Sequence, residues 1–117
     1  RYIAVVGTTT LDFSIVDTAN VIVGTSNVII DNFATSLYRS AKYIISVSNS
    51  GLTQYQTTEI LLVHDGTTPY QQETSVFSGA SALMTFSATI TGGNVLLQGT
   101  GANTGNSVKV RKVYITV

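Results

Sequence analysis

The chain has 117 residues, the length of one ordinary domain, and its six basic and six acidic side chains cancel to a net charge of zero. Without cysteine it has no disulfide framework and no thiolate nucleophile or metal site, and a single histidine excludes any site that needs two imidazoles. A neutral chain has no broad electrostatic footprint for nucleic acid, and no window approaches about 18 consecutive apolar residues, so partners of neither the nucleic-acid nor the membrane kind are expected.

Charged residues make up 10% of the chain, where roughly 25% is usual. In their place stand 18 Thr and 12 Ser. Thr, Val and Ile together supply 42 residues, and these β-branched types are stiff at χ1 and suit a pleated surface better than a helix. The start of the chain lacks the basic, apolar and small-residue succession of a signal peptide, so a soluble domain is expected.

In chain order, residues 2–6 and 11–17 read as short strands, and residues 21–23 and 28–31 as two more, separated by residues 24–27. Residues 31–39 have room for one helical turn at most. Residues 40–48 place Tyr43, Ile45 and Val47 on one face by a period of two, and Asn49-Ser50-Gly51 turns the chain back. Residues 54–64 run from polar to apolar, and the unbroken Ile60-Leu61-Leu62-Val63 predicts a central strand buried on both faces. Asp65-Gly66 makes the next turn, Pro69 follows, and residues 70–78 form the return strand.

The cleanest alternation lies in residues 83–91, where Met84, Phe86, Ala88 and Ile90 share one face and Thr85, Ser87, Thr89 and Thr91 the other. Gly92-Gly93-Asn94 closes a hairpin onto residues 95–98. Residues 99–106 read as an exposed Gly, Asn and Thr loop suited to variable contacts. In residues 107–117 the apolar phase slips at Arg111-Lys112, from Val108 and Val110 to Val113, Ile115 and Val117, which predicts a bulge.

Eight or nine strands joined by glycine turns predict an all-β single domain, an antiparallel β-sandwich resembling a jelly roll, with an open barrel as the alternative. The domain spans residues 1–117 on this reading, with residues 1–28 either a less typical part of it or a segment connecting it to another part. The expected core is Ile44, Ile45, Val47, Ile60, Leu62, Phe86, Ile90 and Leu97.

Candidate chemistry is sparse. His64-Asp65 ends a strand, and because adjacent strand residues point to opposite faces the pair reads as a structural histidine and a turn aspartate rather than a relay. No serine lies in Gly-x-Ser-x-Gly. The carboxylates Asp12, Asp17, Asp31, Glu59, Asp65 and Glu73 are scattered, without the Asp-x-Asp run of a calcium loop. Gly99-Thr100-Gly101 lacks the helix that a phosphate-cradling loop needs behind it. No catalytic residue, cofactor or metal is therefore expected. Lys109, Arg111 and Lys112 read as a solvated edge.

In Tyr38-Arg39-Ser40-Ala41-Lys42-Tyr43 two tyrosines flank two cations. This run suits packing and solvation at a sheet edge, and as the alternative Tyr38 and Arg39, together with Tyr55, Tyr70 and Asn103, are the candidate contact residues for a partner protein or a glycan. The low charge points in the same direction, because the cores of protein contacts are depleted in charge.

The run Tyr38-Arg39-Ser40-Ala41-Lys42-Tyr43-Ile44-Ile45-Ser46-Val47, the run Thr58-Glu59-Ile60-Leu61-Leu62-Val63-His64-Asp65-Gly66-Thr67-Thr68, and the stretch 86–97 with its Gly92-Gly93-Asn94 turn resemble a recurring domain in virion proteins of marine tailed phages, cyanophages among them. The resemblance covers about residues 29–117. It implies a β-rich structural module of a fibre, tail, neck or capsid decoration, located in the virion. Its implied partners are other virion proteins and copies of itself, as a homo-oligomer such as a trimer, with a host-surface glycan or receptor as the alternative. It implies no catalytic set.

Overall fold

The protein is described by a computed structural model. The structure describes the backbone of Val5–Val6, Thr9–Thr10 and Ser14–Val23, and both backbone and side chains of residues 24–117. In chain order the strands are β1 (Val5–Val6), β2 (Thr9–Thr10), β3 (Ser14–Val23), β4 (Asn27–Ala34), β5 (Tyr38–Asn49), β6 (Gln54–His64), β7 (Pro69–Phe77), β8 (Met84–Thr91), β9 (Asn94–Gly101) and β10 (Asn106–Thr116).

Two antiparallel sheets build the core. One has the order β4-β9-β8, the other β10-β5-β6-β7, with the β3 backbone along the outer side of β10. Within residues 24–117 the facing sheets thus contain seven strands, not eight or nine. The stretches before residue 24 account for the difference: β1 pairs with β2, and β3 adds backbone to an outer edge. The strand expected over residues 2–6 is described only at Val5–Val6, and the one over residues 11–17 only from Ser14 onward.

Two separate sheets replace the open-barrel alternative. Consecutive strands β5, β6 and β7 stay in one sheet and β8 and β9 in the other, whereas a jelly roll passes most successive strands from sheet to sheet. Short turns such as Gly92-Gly93, both at positive φ, keep each hairpin local.

Period-two burial explains the layers. On β5, Ala41, Tyr43, Ile45, Val47 and Asn49 face inward, and on β6, Gln56, Thr58, Ile60, Leu62 and His64 do so. Phe33, Met84, Phe86, Val95 and Leu97 meet them from the other sheet. Of the expected core, Ile45, Val47, Ile60, Leu62, Phe86 and Leu97 are buried, and Ile90 packs against the core from its margin. Ile44 is 42% exposed, because the phase that buries Tyr43 and Ile45 turns their neighbour outward. The same rule corrects β6: Leu61 and Val63 are exposed, so this strand is buried on one face only.

β10 holds one phase throughout. Val108, Val110, Lys112 and Tyr114 lie opposite the inward Val47, Ile45, Tyr43 and Ala41 of β5. There is no bulge at Arg111-Lys112; the irregularities fall at Val108/Val110 towards β3 and at Ile115/Thr116 towards β5. The apparent slip is a change of chemistry on a constant face.

Residues 99–101 belong to β9, which shortens the expected loop to residues 102–105. Gly99 and Gly101 are buried, and a Cβ on Gly101 would stand 2.4 Å from the Gly24 carbonyl oxygen. These glycines serve close approach inside a strand. Residues 31–34 complete β4, and the Leu37 N–H donates to the Ala34 carbonyl at 3.2 Å, a single turn before β5.

Candidate interaction surface

The strongest interior electrostatics begin at an irregularity in β4. Ile29 pairs with Gln98 and Asp31 with Leu97, so Ile30 is an extra residue. Such a bulge re-aims the side chain that follows it, and Asp31 enters the space between the sheets. Its Oδ1 accepts from Lys112 Nζ at 2.7 Å, and its Oδ2 accepts from the Tyr43 hydroxyl at 2.8 Å and from the Tyr114 hydroxyl. The Asp31 and Lys112 side chains are 10% and 19% exposed. One carboxylate on the three-stranded sheet therefore clasps three donors on the four-stranded sheet. Burial, reinforced by the Asp31 carboxylate, pushes both the Tyr43 and Tyr114 hydroxyls far above the usual phenol range, so both stay protonated as donors.

Aromatic packing seals this end. Tyr38 and Tyr114 ring centroids lie 4.7 Å apart, and Phe33 stands 5.2 Å from Tyr114 and 6.2 Å from the His64 ring. His64 is buried with both nitrogens spent. Its Nδ1 accepts from the Gly66 N–H at 3.0 Å, so the ring proton sits on Nε2, which donates to the Tyr38 carbonyl at 2.7 Å. Asp65 turns away into the β6–β7 turn, where its carboxylate accepts from the Thr67 and Thr68 amides, the Thr67 hydroxyl and the Tyr70 hydroxyl. Hydrogen bonds from the Thr67 and Thr68 amides first, then from the hydroxyls, hold its pKa down at about 2. His64 and Asp65 form no relay.

The opposite end is held by amides. Gln56 Oε1 accepts from the Leu83 and Met84 N–H groups at 2.6 and 3.1 Å, and its Nε2 donates to the Met84 carbonyl and the Thr58 hydroxyl. Asn49 Nδ2 donates to Asn106 Oδ1 and to the Thr104 carbonyl, while Asn106 Nδ2 reaches the Leu83 carbonyl. Three connections between strands are thereby tied together inside the protein.

The outer face of β10-β5-β6-β7 has the reverse character. Register puts Ile115, Ser40, Val63 and Tyr70 in one row, Val113, Lys42, Leu61 and Gln72 in the next, and Arg111, Ile44, Glu59 and Thr74 in a third. Ile44, Leu61, Val63, Tyr70 and Ile115 are all exposed. The Lys42 ammonium pairs with Glu59 at 3.4 Å across this surface. Lys42, Leu61, Val63, Val113 and Ile115 line a shallow depression of about 540 Å³. The face is thus a pleated surface in which exposed aliphatic side chains surround the Lys42–Glu59 pair.

The five contact residues read from the sequence are not gathered into one site. Tyr38 lies partly buried in the aromatic seal, and Arg39 is exposed and donates to the His64 carbonyl at 3.1 Å. Tyr70 is exposed at the same end, tethered to Asp65. Tyr55 is exposed opposite Ser48, whereas the Tyr70 row crosses β5 at Ser40, eight residues or roughly 27 Å away along the strand. Asn103 is exposed in the β9–β10 turn at the Tyr55 end. The Asp31 clasp was missed by sequence reasoning. Its signal was Asp31 closing the apolar run Val28-Ile29-Ile30, with Lys112 and Tyr114 continuing the phase of Val108 and Val110.

No protein-family model matches the chain, and no curated protein matches it in sequence. Among solved structures it is similar to the crystal structure of the Acinetobacter phage vB_ApiP_P1 tailspike protein, with a TM-score of 0.53 and 19% identity, over 100% of this chain and 25% of that one. A second likeness, to the Acinetobacter baumannii phage AM24 tailspike protein, has a TM-score of 0.43 and 8% identity over 88% of this chain and 25% of that one. This chain thus spans about a quarter of the length of these tailspikes, and the first likeness shows a shared fold.

Proposed function

We propose that the chain is a non-enzymatic structural module of a phage tail, a β-sandwich that works by fitting against neighbouring virion proteins. The observation that carries this reading is the division of labour between inside and outside. The strong polar groups Asp31, Lys112, His64, Gln56, Asn49 and Asn106 are spent on joining strands and sheets. The exposed sheet face presents aliphatic side chains. The fold shared with part of a phage tailspike supports a tail setting, and the likeness of the Tyr38 and Thr58 runs to marine-phage virion domains supports a place in the particle.

The test is immunogold electron microscopy of particles of the phage that encodes the chain, with an antibody raised against it. Tail labelling is expected; particles without label, or label confined to the capsid, contradict the proposal. A receptor- or glycan-binding role is the second reading, favoured by the exposed Tyr70 beside Arg39 and the His64 end of the sheet. A glycan array showing saturable binding that Tyr70→Ala abolishes would put it first.

A further inference from the structure

We infer that the outer face of β10-β5-β6-β7 is a self-association surface, and that its occupant is the same face of a second copy of this chain. The inference rests on the structural reading above and adds to it both the surface and the partner.

Three observations lead there. The first is area. β5 has 12 residues, about 40 Å at roughly 3.4 Å per residue, and four strands at about 4.8 Å span roughly 19 Å. The face therefore measures on the order of 750 Å², close to the ~800 Å² that each partner contributes to a standard interface. Its layout matches an interface as well. Ile44, Leu61, Val63, Val113 and Ile115 form an apolar end, and Lys109, Ser46, Ser48 and Thr57 extend it as a polar margin.

The second observation is shape. A pleated sheet repeats at about 4.8 Å across strands and about 6.8 Å along one face, and it carries a twist of fixed hand. Sheets of like twist stack face to face about 10 Å apart, their side-chain rows interdigitating. An identical face reproduces that spacing and twist. The aliphatic rows beside the 540 Å³ depression supply both the ridges and the space to receive them.

The third is charge. The chain is neutral, so copies meet without net repulsion. Within the apolar end Lys42 and Glu59 pair at 3.4 Å, while the exposed Arg111 stands at its border beside Ile44 and the exposed Lys109 in the polar margin beside Ser46.

The chain contains no cysteine, so one introduced thiol reports contact between copies without interference. Ile44→Cys, Leu61→Cys and Ile115→Cys are made singly, with Ser87→Cys on the exposed outer side of β8 as control. Each is oxidised at several protein concentrations, and sedimentation velocity follows the unaltered chain and Leu61→Glu. The expected results are a mass of two or more copies that grows with concentration, disulfide-linked dimer from at least one of the three face variants well ahead of Ser87→Cys, and association at least tenfold weaker in Leu61→Glu. Should circular dichroism show Leu61→Glu unfolded, Val63→Lys makes the same test. A chain that stays monomeric, association untouched by both substitutions, or equal cross-linking at Ser87→Cys overturns the inference. So does a monomer that binds a different virion protein through this face. Tails labelled by antibody together with a monomeric chain remove the self-association and leave the structural role standing; unlabelled tails remove the role itself.

Discussion

Replacing Asp31 by alanine should be among the costliest single changes in the protein, although Asp31 belongs to no aliphatic core. The substitution deprives three donors of one acceptor: the Lys112 ammonium at 2.7 Å, the Tyr43 hydroxyl at 2.8 Å and the Tyr114 hydroxyl. Breaking a buried ion pair from one side costs about 3–5 kcal/mol, because the charge left behind remains poorly solvated. Lys112 is 19% exposed and gains some water, which lowers its share, while each stranded phenol adds about 1–3 kcal/mol that overlaps with it. The net expectation is about 3–5 kcal/mol, a large part of the roughly 5–15 kcal/mol that holds a domain together. Urea unfolding followed by circular dichroism should show a lower midpoint with an unchanged slope. Lys112→Met leaves the carboxylate with two phenol donors and should cost less. The double-mutant cycle of Asp31→Ala with Lys112→Met should then show a coupling above about 1 kcal/mol. A loss below about 1 kcal/mol for Asp31→Ala, or additivity of the two substitutions, would refute the clasp.

Three further outcomes are expected. Ile45→Ala should cost about 2–5 kcal/mol and its outward neighbour Ile44→Ala less than about 1 kcal/mol in dilute monomer, read by urea unfolding; equal losses would contradict the phase of β5. Gln56→Ala strands the buried Leu83 and Met84 amides and should cost about 2–4 kcal/mol, with hydrogen exchange speeding up first at the start of β8. Asp65, held low by its turn, stabilises the fold while ionised, and that contribution should fade as pH falls from the ordinary carboxylate range to about 2. In acid titrations Asp65→Asn should flatten this part of the stability profile, and an unchanged profile would count against the turn contacts.

Alternation carried most of the fold from sequence to structure. β5 and the β8–β9 hairpin follow it residue by residue, because each strand is covered on one side only. It failed where apolar character and inward direction part company. Leu61, Val63 and Ile44 are aliphatic yet face outward, and Lys112 and Tyr114 are polar yet face inward, so counting hydrophobic residues shifted the phase of β10 and doubled the burial of β6. Gly99 and Gly101 misled for a related reason: glycine signals a turn and a close approach alike, and only the neighbours, the Met84 and Ile30 side chains at Gly99 and the Gly24 backbone at Gly101, tell them apart. The Asp31 clasp joins residues 81 positions apart through a bulge, and nothing local specifies that encounter. The outer face was legible only as a shortage of charge. Its residues became a surface once register aligned Ile115 with Ser40, Val63 and Tyr70.

A density map of the phage tail, resolved to side chains, tests the central claim most directly. The account predicts protein density packed over Leu61, Val63 and Ile115, with Asp31 and Lys112 closed together inside the domain. A tail in which that face looks onto solvent, with neighbours attached elsewhere, would contradict it.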